Sequence, residues 1–424
     1  MKTIKVFLSL GICLCLTITG RVEANPSVSA KETLATLRNT VRLALQTYPG
    51  LRAADARIAG VQARVTGANL PIYNPELEAE LENAGEKTYK LGVRQSIDWH
   101  DKHSARRHEQ QSTLQLVKAR KFQLVTTVAT DVLLAMADFY SASHINSLHE
   151  QRIELLQQVI ELAEQRLAAG DINKSEMLLA KLSLANATIQ RANQQVSVIE
   201  SKKTFYQLTG QSIDPSPAFL IPVPEKLGPD IIPDNIASEH PAEKMALLRV
   251  EQSKRQVSAR QRERRADPAF GLNFGKEGDE VLMGVTFSRT WQVRNDLGYT
   301  VTEARKRQLQ AELHAQNTHR RIIAAIKAAG TQYEIMAGTW KVWLSSGKNQ
   351  LNEHVGLLAQ LWRGGEISTS DYLLQLEQNI HTRIAGARLK GDMWRAWINW
   401  LNATGSVLDW LELDKEFGIK GTKK

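Results

Sequence analysis

Residues 76–82 read Glu-Leu-Glu-Ala-Glu-Leu-Glu, which places a carboxylate at every second position. In a strand this spacing sets Glu76, Glu78, Glu80 and Glu82 on one face. Such a row attracts cations, and Lys90 and Arg94 on an adjoining strand partly neutralise it. A second pair of carboxylates, Glu176 and Asp371, each follows a glycine, Gly170 and Gly365, by six residues. Asn173 precedes Glu176, and Ser368 precedes Asp371, at the spacing of a capping box, which satisfies free N–H groups at a helix start. The densest group of metal-ligating types is His100, His103 and His108 with Asp98 and Asp101. His100 and His103 could share a helical face, but a ligating site needs three or four converging groups. Surface or interfacial histidines are therefore expected, and no metal or cofactor is assigned. No Gly-x-Ser-x-Gly, no phosphate-binding glycine loop after a strand and no Cys/His pair occurs, so catalysis finds no support.

The elements that must position these residues follow from the rest of the 424-residue chain. Lys2 and Lys5, the apolar run Val6 to Thr19, and Val22-Glu23-Ala24 read as a signal peptide over 1–24 with Asn25 as the mature start. Both cysteines, Cys13 and Cys15, fall inside it, which leaves the mature chain without a disulfide or thiolate ligand. The formal charge of +9 is spread over helical stretches with glutamates interleaved, as a solvated helix face requires. Nucleic acid is not an expected partner. After the signal no run of about eighteen consecutive apolar residues occurs, so membrane insertion would need strands closed into a barrel.

An internal repeat organises the chain. Tyr48-Pro49 recurs as His240-Pro241, and Asn74-Pro75 as Asp267-Pro268. Leu91-Gly92-Val93 recurs as Met283-Gly284-Val285, Ala169-Gly170-Asp171-Ile172 as Gly364-Gly365-Glu366-Ile367, and Leu208-Thr209-Gly210 as Ala403-Thr404-Gly405. The offset stays between 192 and 195 residues throughout. A register kept over that many landmarks points to duplication. The first repeat spans 25–210 and the second 236–410, with a proline-rich linker over 211–235 and a tail over 411–424.

Each repeat begins with a helix, over about 31–70 and about 236–266, and passes to a hairpin, over 76–98 and 269–290. In the first hairpin a turn over 85–88 separates two alternating strands. In the second, Phe270, Leu272 and Phe274 alternate with Gly271, Asn273 and Gly275, and Val281, Met283, Val285 and Phe287 with Leu282, Gly284, Thr286 and Ser288. Each strand has the length and the apolar-out, polar-in pattern of a tilted membrane strand. Trp99 and Trp291 end the second strands at equivalent positions, where indoles suit a membrane interface. Long helices follow over about 101–168 and about 298–362, without proline or turn clusters, and span roughly 100 Å. A glycine turn reverses each into a further helix, over 173–208 and 368–410.

This order resembles the TolC-type outer-membrane factors, and within them the CzcC-like members that serve metal-cation efflux. Asn74-Pro75-Glu76-Leu77, Asp101-Lys102-His103-Ser104-Ala105-Arg106, Ala169-Gly170-Asp171-Ile172 and Arg294-Asn295-Asp296-Leu297-Gly298 carry the likeness. It implies a mainly α protein with a small β part: a long α-helical coiled-coil barrel plus four β-strands per subunit that contribute to a shared trimeric transmembrane β-barrel. It further implies a homotrimer in the outer membrane of a Gram-negative bacterium that extends into the periplasm. A periplasmic adaptor and an inner-membrane pump of the resistance–nodulation–division (RND) type are the implied partners. Glu76, Glu78, Glu80, Glu82, Lys90 and Arg94 would then face the lumen. Gly170 and Gly365 would lie at the periplasmic tip, where Glu176 and Asp371 match an acidic gate position and Trp362 an aromatic one. The chain departs from the family pattern at Arg289-Thr290-Trp291, where prolines usually stand, at Asp296 for a glutamine and at Leu374 for a second tip aspartate. Drug efflux and type I protein secretion use the same fold. A periplasmic coiled-coil adaptor is the rival from another class.

Overall fold

The computed structural model describes residues 30–214, 227 and 232–417. The expected signal peptide and most of the expected linker lie outside these residues. In chain order the elements are α1 (Ala30–Thr47), α2 (Pro49–Ala68), β1 (Glu76–Ala84), β2 (Glu86–Ser96), α3 (Lys102–Ala169) and α4 (Lys174–Thr209). The second repeat supplies α5 (Pro233–Glu239), α6 (Pro241–Glu263), β3 (Pro268–Glu277), β4 (Glu280–Arg289), α7 (Gly298–Ser346), α8 (Lys348–Arg363) and α9 (Thr369–Thr404). Two short helices, α10 (Val407–Trp410) and α11 (Asp414–Phe417), follow.

Four breaks refine the helices expected from sequence. The single helices expected over 31–70 and 236–266 are each two, divided at Pro49 and Pro241. Proline lacks an N–H and pushes the residue before it out of the helical region. Tyr48 (φ −61°, ψ 118°) and His240 (φ −63°, ψ 135°) show that effect. The helix expected over 298–362 is interrupted at Gly347, where the Trp343 ring lies against the backbone and against Gly386. The helix expected to reach 410 stops at Gly405, whose φ of 71° is left-handed. By contrast α3 runs unbroken for 68 residues, a rod of about 100 Å.

The long helices lie side by side, with α3 packed on α4, α6 and α9, and α7 on α6 and α9. One core forms where α1 and the C-terminal helices meet the bundle, around Val132, Leu133, Phe139, Tyr333 and Ile398. A second lies toward the glycine turns and includes Leu156, Val159, Leu376 and fully buried Ala180 and Ala187. Alanines there let the helix axes approach closely, while each buried Leu or Phe contributes about 1.5–3 kcal/mol. By composition α3 contains an 18-residue stretch apolar enough to cross a membrane, which the sequence reading did not single out. That stretch is 61% buried inside the chain, so its apolar residues serve the core.

The two hairpins join into one antiparallel sheet of order β1-β2-β3-β4. Register carries the alternation across all four strands. Leu77 pairs with Val93, Val93 with Leu272 and Leu272 with Val285. Ala79, Leu91, Phe274 and Met283 form the next apolar row. The other face carries Glu78, Gly92, Asn273 and Gly284 in one row, and Glu80, Lys90, Gly275 and Leu282 in another. The first turn is tighter than the expected 85–88, because Gly85 alone, at φ 93°, separates the strands. Among the described residues β1 and β4 have no partner on their outer edges.

Candidate channel wall and tip

The polar face of the sheet gathers the six charged residues expected there. Arg94 pairs with Glu78 and, at 3.3 Å, with Glu76, while Lys90 reaches Glu80 at 3.3 Å. Glu82 lies opposite Thr88 in the register and has no cation partner among the described residues. The face is therefore wetted and mildly acidic. The opposite face exposes Leu77, Leu81, Leu91, Val93, Leu272, Phe274, Val281, Met283, Val285 and Phe287, with Lys276 next to the β3–β4 turn, paired with Asp279, as a charge in its outermost row. Burying such a surface in water-excluded surroundings is favourable at about 25 cal/mol per Å². Trp99 and Trp291, 68% and 90% exposed, stand just beyond the second strand of each hairpin.

At the far end of the long helices, Gly170 (φ 80°) and Gly365 (φ 79°) adopt the left-handed conformation that ends a helix. Asp171 N–H then donates to the Arg166 carbonyl at 2.8 Å, and Glu366 N–H to the Leu361 carbonyl at 2.9 Å, the Schellman pattern. The N-cap half of each capping box forms. The Glu176 N–H donates to the Asn173 side chain at 3.0 Å and the Asp371 N–H to the Ser368 hydroxyl at 3.1 Å. The carboxylates turn back onto the cap side chains, Glu176 accepting from Asn173 Nδ2 and Asp371 from Ser368 Oγ. Asn173→Ala or Ser368→Ala is expected to lower stability by about 1 kcal/mol each, read as a shifted denaturant midpoint with an unchanged slope.

Trp362 is a packing residue here, 3% exposed and stacked on Tyr372 at 4.7 Å between centroids. Its indole N–H donates to Thr369 Oγ1 at 3.3 Å, and the Arg166 guanidinium lies 5.5 Å from its ring centroid. Arg166 also donates to the Arg363 carbonyl at 3.2 Å. One side chain of the first repeat thus ties down the turn of the second, a link that local sequence patterns do not reveal.

The histidine-rich segment resolves into caps. The Asp98 carboxylate accepts from the backbone N–H of Lys102 and His103, at 2.7 and 2.8 Å, and so opens α3. Asp101, left-handed at φ 53°, accepts from Arg262. No group of three metal-ligating side chains converges among the described residues.

Sequence reasoning missed a buried cluster at the junction of sheet and helices. Tyr73 Oη donates to Asp267 Oδ2 at 2.8 Å, and Lys102 Nζ meets the same oxygen at 3.0 Å. The Asp267 side chain is only 3% exposed. Burial, followed by the bond to Asp267, pushes the Tyr73 phenol up to about 12. The one sequence signal was the repeat landmark Asp267-Pro268. α4 also carries an exposed apolar stripe, Leu182, Ile189 and Val196 with Leu178, Ile199 and Tyr206, at the three- and four-residue spacing of a coiled-coil seam.

No protein-family model and no curated protein matches the sequence. Solved structures share the fold over nearly the whole chain. The Campylobacter jejuni CmeC outer membrane channel aligns with a TM-score of 0.73 at 15% identity, covering 99% of this chain and 97% of that one. The outer membrane protein VceC from Vibrio cholerae aligns with a TM-score of 0.70 at 18% identity, covering 89% and 98% respectively. The open state of the Neisseria gonorrhoeae MtrE outer membrane channel gives 0.70 at 13% identity, covering 88% and 89%. The chain has the fold of TolC-type outer-membrane channels.

Proposed function

We propose that this chain is the outer-membrane exit duct of an efflux system, a passive channel rather than an enzyme. In this reading it works as a homotrimer that receives substrate from a periplasmic adaptor and an inner-membrane pump of the resistance–nodulation–division type. The observation that carries it is the four-stranded sheet with one largely apolar face, two open edges and a foundation of long helices, of which α3 alone spans about 100 Å. Its strands are 9, 11, 10 and 10 residues long, which suits tilted spans of a bilayer. Open edges are not tolerated in lipid. β1 and β4 are different edges, so pairing the β4 of one copy with the β1 of the next is a head-to-tail contact that closes into a ring. The exposed seam on α4 offers a second contact between copies.

Metal cations are the proposed cargo. The cation-efflux likeness carried together by residues 74–77, 101–106 and 169–172, and the surplus of glutamates over Lys90 and Arg94 on the polar face, support this class. Glu176 and Asp371, besides capping, would add acidic rings at the tip, where carboxylates favour cations. Deleting the gene and challenging cells with zinc, cobalt, copper and drugs tests the cargo. Lost metal tolerance is expected; unchanged metal tolerance with lost drug resistance or protein secretion overturns the cation assignment. Fractionation tests the duct itself. Recovery from the soluble periplasm without detergent would favour an adaptor or scaffold instead.

A further inference from the structure

We infer that the cleft at the helix-side end of β4 binds the phosphate headgroup of an anionic phospholipid, an inference that rests on the membrane-barrel reading above. The cleft, of about 1190 Å³, is lined by Arg264 and Arg265 at the end of α6, Arg289 at the end of β4, and Arg305 in the second turn of α7. Phe287 and Trp291 are among the other residues of its wall. Arg264 is engaged by Asp296. Arg265, Arg289 and Arg305 have no carboxylate partner among the described residues, and no acidic residue lines the cleft. Three guanidiniums held around one acid-free space repel one another unless an anion joins them. The planar fork of arginine matches phosphate oxygens two at a time.

The position of the cleft selects the kind of phosphate. Phe287 pairs with Phe270 and closes the apolar face of β4; Arg289 follows on the same face, opposite Pro268. One residue pair along a strand advances roughly 6–7 Å, so the wall passes from apolar to cationic within that distance. Trp291, 90% exposed, stands beside the change. Apolar, aromatic and cationic residues thus succeed one another as acyl chain, interface and headgroup do in a bilayer. A free phosphate would have no use for Phe287 and Trp291. A neighbouring copy is a poor source of countercharge. If its β1 pairs with β4, the segment brought alongside, residues 71–77, holds one carboxylate, Glu76, which belongs to the polar face and pairs with Arg94.

The test uses the full chain purified in mild detergent, with retained lipid measured by native mass spectrometry. Wild type, R265Q/R289Q/R305Q, W291A and a control set on α4, K174Q/K181Q/K203Q, are each offered phosphatidylglycerol, phosphatidylcholine or inorganic phosphate. Wild type and control are expected to retain phosphatidylglycerol over phosphatidylcholine. The triple arginine variant should lose at least about tenfold of that preference, as expected for removing several cations from a headgroup. W291A should weaken retention of both lipids, and inorganic phosphate should not displace the bound lipid. Equal retention by wild type and the triple variant, or displacement by inorganic phosphate, overturns the inference. So does loss of the oligomer rather than the lipid in the triple variant, which would assign the arginines to a contact between copies. Recovery of wild type in the soluble fraction would overturn the membrane reading as well, and it is seen before any lipid is added.

Discussion

Asp267→Ala is expected to destabilise the folded chain by about 3–5 kcal/mol, the cost of breaking a buried ion pair from one side. The Asp267 carboxylate receives both Tyr73 and Lys102 while almost wholly out of water. Its removal strands the Lys102 ammonium, whose side chain is 13% exposed, and frees the phenol. The carboxylate sits between α6 and β3 and holds the segment before β1 and the start of α3. The loss should therefore appear as earlier proteolysis at the sheet–helix junction and as a lower denaturant midpoint. Asp267→Asn keeps an acceptor for Tyr73 and should cost less. A double-mutant cycle with Tyr73→Phe should show coupling, since both side chains share one oxygen. An unchanged midpoint for Asp267→Ala would exclude the junction as a stabilising element. The cluster also gives an alkaline signature. The phenol is raised in the folded chain to about 12 from 10.0, so folding favours its neutral form. That contribution is fully present below pH 10 and is lost as pH rises toward 12, because the unfolded chain releases this proton first. Tyr73→Phe should remove that part of the alkaline decline.

Gly275→Val should disrupt the pairing of β2 with β3, while Gly284→Val in the same sheet should be tolerated. A Cβ at Gly275 would collide with the Tyr89 carbonyl oxygen and approach Lys90 Cα at 3.0 Å, and both are backbone atoms of the paired strand. Backbone cannot rotate aside as a side chain can, so the strands must separate or slip. A one-residue slip would turn the apolar face inward. Overpacking of this kind costs about 1–3 kcal/mol before the register is lost. Gly284 sits on the edge strand with open space where its Cβ would be, and valine favours strands. The comparison is read as the fraction of protein recovered in the membrane as a heat-stable oligomer. Equal recovery of the two variants would show that the close approach at Gly275 does not set the register.

The repeat, the long helices and the two-faced hairpins were legible because each is written in local periodicity. Leu77, Ala79 and Leu81 alternate with glutamates whatever lies beside them, and the pairing partners found across the sheet follow the same parity. The capping boxes were legible for the same reason, since Asn173 and Ser368 act within one turn. What was hidden depends on residues far apart in the chain. At the Gly347 interruption the Trp343 ring lies against Gly386, a contact across two helices. The breaks at Pro49 and Pro241 are local too, since Tyr48-Pro49 and His240-Pro241 mark helix ends as well as the repeat. Arg166 bridging to the second turn, Trp362 stacked on Tyr372, and Lys102 meeting Asp267 all join elements that no spacing rule links. The acidic tip residues are seen capping their own helices. A gate formed by them needs several copies around one axis, which no single chain displays.

The joining of β2 to β3 within one chain also bears on how the proposed ring would be put together. A single-repeat ancestor would have had to find a neighbour at every hairpin, and each encounter costs translational and rotational freedom. Covalent linkage turns half of those encounters into intramolecular events, at an effective concentration set by the helices that connect β2 to β3. Only the β1 and β4 edges are left to diffusion. A fused chain should therefore complete its ring at protein concentrations at which separately expressed halves, 25–210 and 236–410, remain apart.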